Sequence, residues 1–520
     1  MLPTASLMTG CACCSRRRFL AGCAGAAAAG TLVPLLGHAA PAPAPANEKT
    51  RIRIVWTMHS VKLLGPDWPN KGFDLAPVME RIGTGLAQLC PTVDFVFATA
   101  DGPEQAKKII DGDRTAAIDG YIVYQLTCWR NVVQTIATSG KPVLHVDFKY
   151  GGSGGFLIYT AGLLRAAAAN VGIVSSERIE DVAAAVKCIE AVKRGAPVSG
   201  FAAATAQVRR ERMPPAGDPA CTPDPVQTLS PEECVRRLRA SKMLVVRDNT
   251  TTGAGKPLCQ IPLQHVTFDE LNGAWKAADK DQSRAIADGW QKAARAVVGV
   301  SRETLESSAA MYVGMQALLK KHAANAITIN CLGGFYGGHI HAYPCLGFHE
   351  LCNAGLVGGC EADVYSAAAM VLLTTLTQGR TGFISDPVID TSKRQIIYVH
   401  CVAPSRALGP QGPTNPFEIL THSEDRQGAA VRSILPVGYM TTTIDVRLGQ
   451  IIMHQGKAVA NDPDDRACRT KLCVEPVGDM DKLFTMWDHW GWHRVTCHGD
   501  LRAPVTAVAE ALQCKIVAEA

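Results

Sequence analysis

The chain has 520 residues, 47% hydrophobic and 19% charged, which at roughly 150 residues per domain is material for about three packed units and excludes a disordered, collagen-like or coiled-coil chain. Of the formal charge of +5, three units fall on Arg16, Arg17 and Arg18 in an acid-free leader, leaving +2 for the rest. That balance gives no footing to nucleic-acid or membrane-surface binding. The 19 cysteines are odd in number and dispersed, so they read as thiols of a large core rather than as a disulfide framework.

The first segment reads as an address. Ser15-Arg16-Arg17-Arg18-Phe19-Leu20 precedes an Ala-rich apolar stretch and the small residues Ala39-Ala40-Pro41, the layout of a signal peptide. It resembles the twin-arginine export signal of bacteria, which implies the twin-arginine export machinery as a partner, export of an already folded chain and a periplasmic or extracellular location. Elsewhere no apolar run reaches the roughly 18 residues of a membrane span, so no stable membrane anchor is expected.

From Arg51 short apolar runs alternate with helical segments. Ile52–Trp56, Val93–Phe97, Gly120–Tyr124 and Pro142–Val146 read as strands, with Leu75–Leu89 and Glu104–Ile110 as helices. This is the pattern of a parallel sheet covered on both faces. Tyr150–Phe156, with four glycines, lacks the residues of a phosphate-binding loop and reads as a flexible loop near a ligand site. Ala196–Pro231, carrying Pro214-Pro215 and Pro223-Asp224-Pro225, reads as a long surface connection.

A second α/β unit follows: strands at Lys242–Val246 and Ala326–Asn330, a long helix over Ser301–His322, and an apolar, buried helix over Asp363–Gln378. After Gly382 the pattern changes. Gln395–His400, Tyr439–Val446 and Gln450–His454 are β-like and Thr-rich, as in an antiparallel sheet or small barrel, and a helix around Ala503–Leu512 closes the chain. The expected fold class is α/β: two doubly wound domains followed by a β-rich C-terminal domain. The expected divisions are 1–46 (signal and Ala-Pro tail), 47–195, 196–380 and 381–520.

Chemistry concentrates between Cys331 and Cys401. Glu361 stands behind two glycines and ahead of a buried helix, where a carboxylate can be presented into a cleft. Asp386 follows Gly-Phe-Ile-Ser and precedes Pro387, which places it at an element end. Two such carboxylates and a distant imidazole suit a hard or borderline divalent cation with open coordination positions. A lone acid at a helix start is ordinarily a cap, however. His339 and His341 form a His-x-His pair without a third ligand nearby and read as polar loop residues. Cys345, Cys352 and Cys360 lack zinc-type spacing and read as buried thiols. Trp487, Trp490 and Trp492 near His493 offer either a sugar-ring face or core packing.

The ordered blocks Pro344-Cys345-Leu346, Gly359-Cys360-Glu361-Ala362-Asp363, Asp386, His400-Cys401, Tyr439–Ile444, His493-Arg494-Val495 and Gly499–Arg502 resemble the L-fucose isomerase and L-arabinose isomerase superfamily of metal-dependent aldose–ketose isomerases. The resemblance covers about 325–514. It implies metal ligands Glu361, Asp386 and His493, with Glu361 and Asp386 also catalytic, and manganese as the usual ion. It implies a small-molecule sugar substrate, an enediol intermediate and a homo-oligomer. His400 stands either as a ligand, as in the arabinose-type branch, or as a contact beside the fucose-type triad, which is the preferred reading. His498 competes with His493, but only His493 falls in the family's place. Two alternatives stay open: an exported carbohydrate-binding protein without turnover, and another metal-dependent reaction on a sugar-like substrate, such as epimerisation or elimination.

Overall fold

A computed structural model describes residues 48–520; the expected export signal lies outside the described residues. The first five strands, Thr50–Thr57 (β1), Val93–Ala100 (β2), Gly120–Gln125 (β3), Val143–Asp147 (β4) and Val171–Val174 (β5), form an all-parallel sheet ordered β2-β1-β3-β4-β5. Side chains of a strand alternate between faces, so Ile52, Ile54 and Trp56 pack into one helical layer while Val55, Tyr121 and Val123 pack into the other. Burial on both faces is what makes these strands nearly continuous apolar runs.

Met243–Val246 (β6), Gly253–Leu258 (β7) and Ile261–Val266 (β8) begin the second sheet. Ala296–Val298 (β9) joins a small separate sheet, and Ala326–Ile329 (β10) and Val357–Cys360 (β11) complete the second in the order β11-β10-β6-β8-β7. All pairings are parallel except that of the edge strand β7. The remaining strands are Phe383–Asp390 (β12), Gln395–His400 (β13), Phe417–Leu420 (β14), Ala430–Ser433 (β15), Met440–Arg447 (β16), Gln450–Asn461 (β17), Thr470–Val477 (β18), Arg494–His498 (β19) and Lys515–Ala518 (β20). β14 pairs in parallel with β9 and antiparallel with β15. The others build the ring β16-β19-β12-β13-β18-β17, closed by antiparallel pairing of β17 with β16, and β20 lies parallel beside β17. The expected α/β architecture with a β-rich barrel is the one observed.

The helix Val364–Leu376 ties the sheets to the barrel. It is apolar all round and buried along most of its length, packing on β11 and on β16 and β19 of the ring. Among the described residues no helix is long and apolar enough to cross a membrane.

Three local expectations are corrected. The supposed connection at 196–231 contains a helix, Phe201–Arg212, packed on β5 and on the helix Ile179–Lys193. Its prolines, at 197 and 214–215, bracket the helix instead of interrupting it. The glycine-rich stretch at 150–156 is a buried turn that enters the helix Ser153–Arg165. A Cβ at Gly152 would stand 1.8 Å from the Gln125 carbonyl oxygen, so glycine answers to a close backbone approach here and not to flexibility. Asp386 lies inside β12, not at its end. Pro387 is tolerated because β19 pairs with β12 only over 383–385, leaving the strand one-sided where the prolyl nitrogen has no proton to give.

Candidate metal centre

Glu361 from the second sheet and Asp386 and His400 from the barrel line a cavity with room for about 100 Å³, and His493, also from the barrel, stands against the two carboxylates. Glu361 follows β11 directly. It and Ala362 both adopt left-handed backbone, φ 64° and 48°, an uncommon state for residues with a Cβ that commonly marks functional positions. This double turn aims Glu361 away from the sheet before Asp363 starts the next helix. Asp363 Oδ1 accepts the backbone N–H groups of Tyr365 and Ser366 at 3.0 and 3.1 Å, an N-cap.

The barrel contributes the rest. β19, β12 and β13 are neighbours, and Ser385 pairs with Arg494, so one step further sets Asp386 beside His493. His493 Nε2 stands 3.1 Å from Asp386 Oδ1 and 3.5 Å from Glu361 Oε2, yet it is aligned for a hydrogen bond to neither. Its Nδ1 is 3.0 Å from Asp363 Oδ2, which fixes the ring and turns Nε2 toward Glu361 and Asp386. His400 Nε2 lies 3.8 Å from Glu361 Oε1. His400 is buried, and neither of its ring nitrogens has a hydrogen-bond partner. Asp386 accepts the Trp492 indole N–H at 2.5 Å.

The charges are strongly biased. Burial pushes Glu361 up to about 8, with His493 opposing the rise and Asp386 adding to it. Burial also disfavours ionised Asp386, but its contacts with His493 and His400 prevail and hold it below the ordinary carboxylate value. For His493 burial opposes the cation, and the surrounding Glu361, Asp363 and Asp386 carboxylates still raise it well above a free imidazole. His400 is lowered, chiefly by burial.

Among the described residues, Glu361, His400 and His493 are the group whose ligand atoms all fall within 4.8 Å of one another. Buried imidazole nitrogens without partners, set among carboxylates, are what a divalent cation satisfies, so the donor set fits a metal. Glu361, Asp386 and His493, predicted together, are brought together. His400, preferred as a contact beside them, instead completes the closest group. Asp363 was missed as a functional residue; its signal was an acid directly ahead of a long apolar helix.

The other candidates fall elsewhere. His339 stacks on Phe268 at 5.7 Å and His341 sits 6.0 Å from Trp275, both exposed and off the cavity. His498 Nε2 is 2.9 Å from the Pro436 carbonyl. Trp487 is buried in the core, and Trp490 lies beside Gln450, 3.2 Å from Nε1 to Oε1. Trp492 does line the cavity. It meets Trp129, 49% exposed, edge-on at 5.8 Å, and Trp68 lines the wall as well.

No family model matches the chain. Over 145 residues the chain is 23% identical to a protein described as "Sulfoquinovose isomerase" from Alkalicoccus urumqiensis, a stretch that makes up 27% of this chain and 32% of that one. The chain therefore matches about a third of the length of this curated relative. A solved solute-binding protein of an ABC transporter from Burkholderia multivorans aligns at 10% identity over 56% of this chain and 85% of its own, with a TM-score of 0.17. At that score it carries no weight for fold or function. The chain is distantly similar, over about a quarter of its length, to a sugar isomerase.

Proposed function

We propose that the protein is a metal-dependent aldose–ketose isomerase that works on a sugar-like substrate through an enediol. The observation that carries this reading is the cluster of Glu361, His400 and His493, with Asp386 3.1 Å from His493 and with imidazole nitrogens short of partners. These residues would hold a divalent ion, manganese in this reading. When bound, the ion polarises the substrate carbonyl and acidifies the adjacent C–H.

The chain's own part is proton management. Glu361 comes from the second sheet and Asp386 from the barrel, so the two carboxylates can flank a two-carbon unit. One takes the proton from carbon and returns it to the neighbouring carbon, while the other serves the hydroxyl. Trp492 orients Asp386, and Asp363 orients His493. The indoles of Trp68, Trp129 and Trp492 cover the sugar and keep out water. Export under residues 1–46, a homo-oligomer whose neighbouring copy completes the cleft, and divisions of the chain near 195/196 and 380/381 belong to the same proposal.

The test is metal analysis of the purified chain, followed by a panel of aldoses, sulfoquinovose included, with NMR detection of ketose. Glu361→Gln and Asp386→Asn are expected to lose bound metal and at least 100-fold in activity, in the range that removal of acid–base groups produces. Turnover by a metal-free wild-type protein would sink the reading.

A further inference from the structure

The cavity has a second chemical character that an isomerase does not need. Cysteine supplies six of the seventeen residues that line it but only 19 of 520 in the chain, so the concentration is not a matter of composition. These sulfurs come from separate segments. Cys331 opens a helix directly after β10, and Cys360 ends the neighbouring strand β11, where it pairs with Ile329. Cys401 follows β13 and Cys468 precedes β18, which is paired with β13 through His400 and Thr470. The result is two thiol pairs, Cys331 beside Cys360 at the ends of adjoining strands and Cys401 beside Cys468 across the β13–β18 seam. The second pair is bridged as well by Ser423 Oγ, 3.6 Å from each sulfur. Cys345 lines the same space. These sulfurs pack in the hydrophobic core on one side and border the open volume of the cavity on the other.

We infer that the cavity takes up a soft, thiophilic cation of the Cu(I) type at each of the two pairs, Cys331–Cys360 and Cys401–Cys468, beside the carboxylate–imidazole centre. Thiolate donors select Cu(I), zinc and iron–sulfur species over hard cations. A structural zinc site asks for four ligands. Among the described residues no third sulfur joins either pair within 4.8 Å, and two-sulfur coordination is what a d¹⁰ monovalent ion accepts. Each uptake releases two thiol protons to solvent and changes no oxidation state. The inference uses none of Glu361, Asp386, His400 or His493 as a donor, although Cys468 Sγ lies 3.8 Å from Asp386 Oδ2.

The full chain, reduced and kept anaerobic, is titrated with Cu(I) presented as its bicinchoninate complex, whose loss of colour reports transfer. Wild type is expected to take two equivalents, and Cys331→Ser/Cys360→Ser and Cys401→Ser/Cys468→Ser one each. Cys352→Ser, whose thiol is buried but off the cavity, and Glu361→Gln should both keep two. In wild type, Cu(I) should also shield those four cysteines from iodoacetamide, read by peptide mass, a measurement that needs no variant to fold. The inference is overturned if wild type takes up none, if both double variants bind like wild type, or if the pairs are recovered as disulfides and take up no Cu(I) after reduction.

Discussion

Asp363 shows how much one side chain can do in this centre. One carboxylate oxygen caps a helix while the other holds the imidazole of His493. Partners that orient a metal-binding imidazole typically account for 10- to 100-fold in metal affinity. Asparagine caps helices about as well as aspartate, so Asp363→Asn should keep the helix cap, lose stability only through its ion pair with His493, and lower divalent-metal affinity by roughly 10- to 100-fold in a competition titration. Equal metal affinity in the two proteins would remove Asp363 from the site. Glu361, Asp386 and His493 were legible in the sequence because their blocks kept a family-like order. His400 was less so: its role depends on β13 lying next to β12 in the ring, and strand adjacency leaves no mark on residue spacing. The thiol pairs escaped for the same reason, since Cys401 and Cys468 are neighbours only across a sheet.

At the scale of elements, the strand that carries His493 is anchored by an ion pair inside the barrel. Arg494 is fully buried, and Glu519, just beyond β20, accepts from its Nε at 3.1 Å, while Glu519 Oε2 lies 3.0 Å from His454 Nδ1. Removing one partner of a buried pair strands the other charge in a low dielectric, at a cost of about 3–5 kcal/mol. Glu519→Gln is therefore expected to destabilise the protein by about that amount in urea unfolding, and to weaken divalent-metal binding because β19 carries His493. A loss below ~1 kcal/mol would mean that Arg494 finds other partners. The first sheet, the long helices and the change to antiparallel style after Gly382 could all be read from apolar periodicity. The helix Phe201–Arg212 could not: its surroundings are Pro-rich, and its Arg209 and Arg210 find Asp481, far along the chain, only after folding.

For the whole molecule, the buried imidazole of His145 couples stability to pH. It lies between Thr160 and Gln125 in the first sheet, and burial lowers it from 6.5 to about 3. The unfolded chain therefore binds this proton first. The contribution is complete above the unfolded value and is lost as pH falls from about 6.5 toward 3. Between pH 7 and pH 5 this amounts to about 2 kcal/mol. A His145→Gln variant should lack that part of the acid loss, read as a smaller change in urea midpoint between the two pH values. The same drop in both proteins would show His145 to be protonated in the fold.

Closure of the barrel has a kinetic side. Asp386 and His493 stand 3.1 Å apart, and β19, the strand that follows His493, must insert between β12 and β16 before they can meet. Contacts between segments so distant in sequence pay their loop-closure entropy late in folding. The helices and the first parallel sheet can form earlier from more local contacts. In refolding from denaturant, far-ultraviolet dichroism should therefore recover ahead of divalent-metal binding. Simultaneous recovery would indicate that the ring closes with the rest of the fold. A nascent chain that stalls before β19 thus holds most of its secondary structure but only half of the proposed centre, so that under the proposal metal uptake would report the seating of β19.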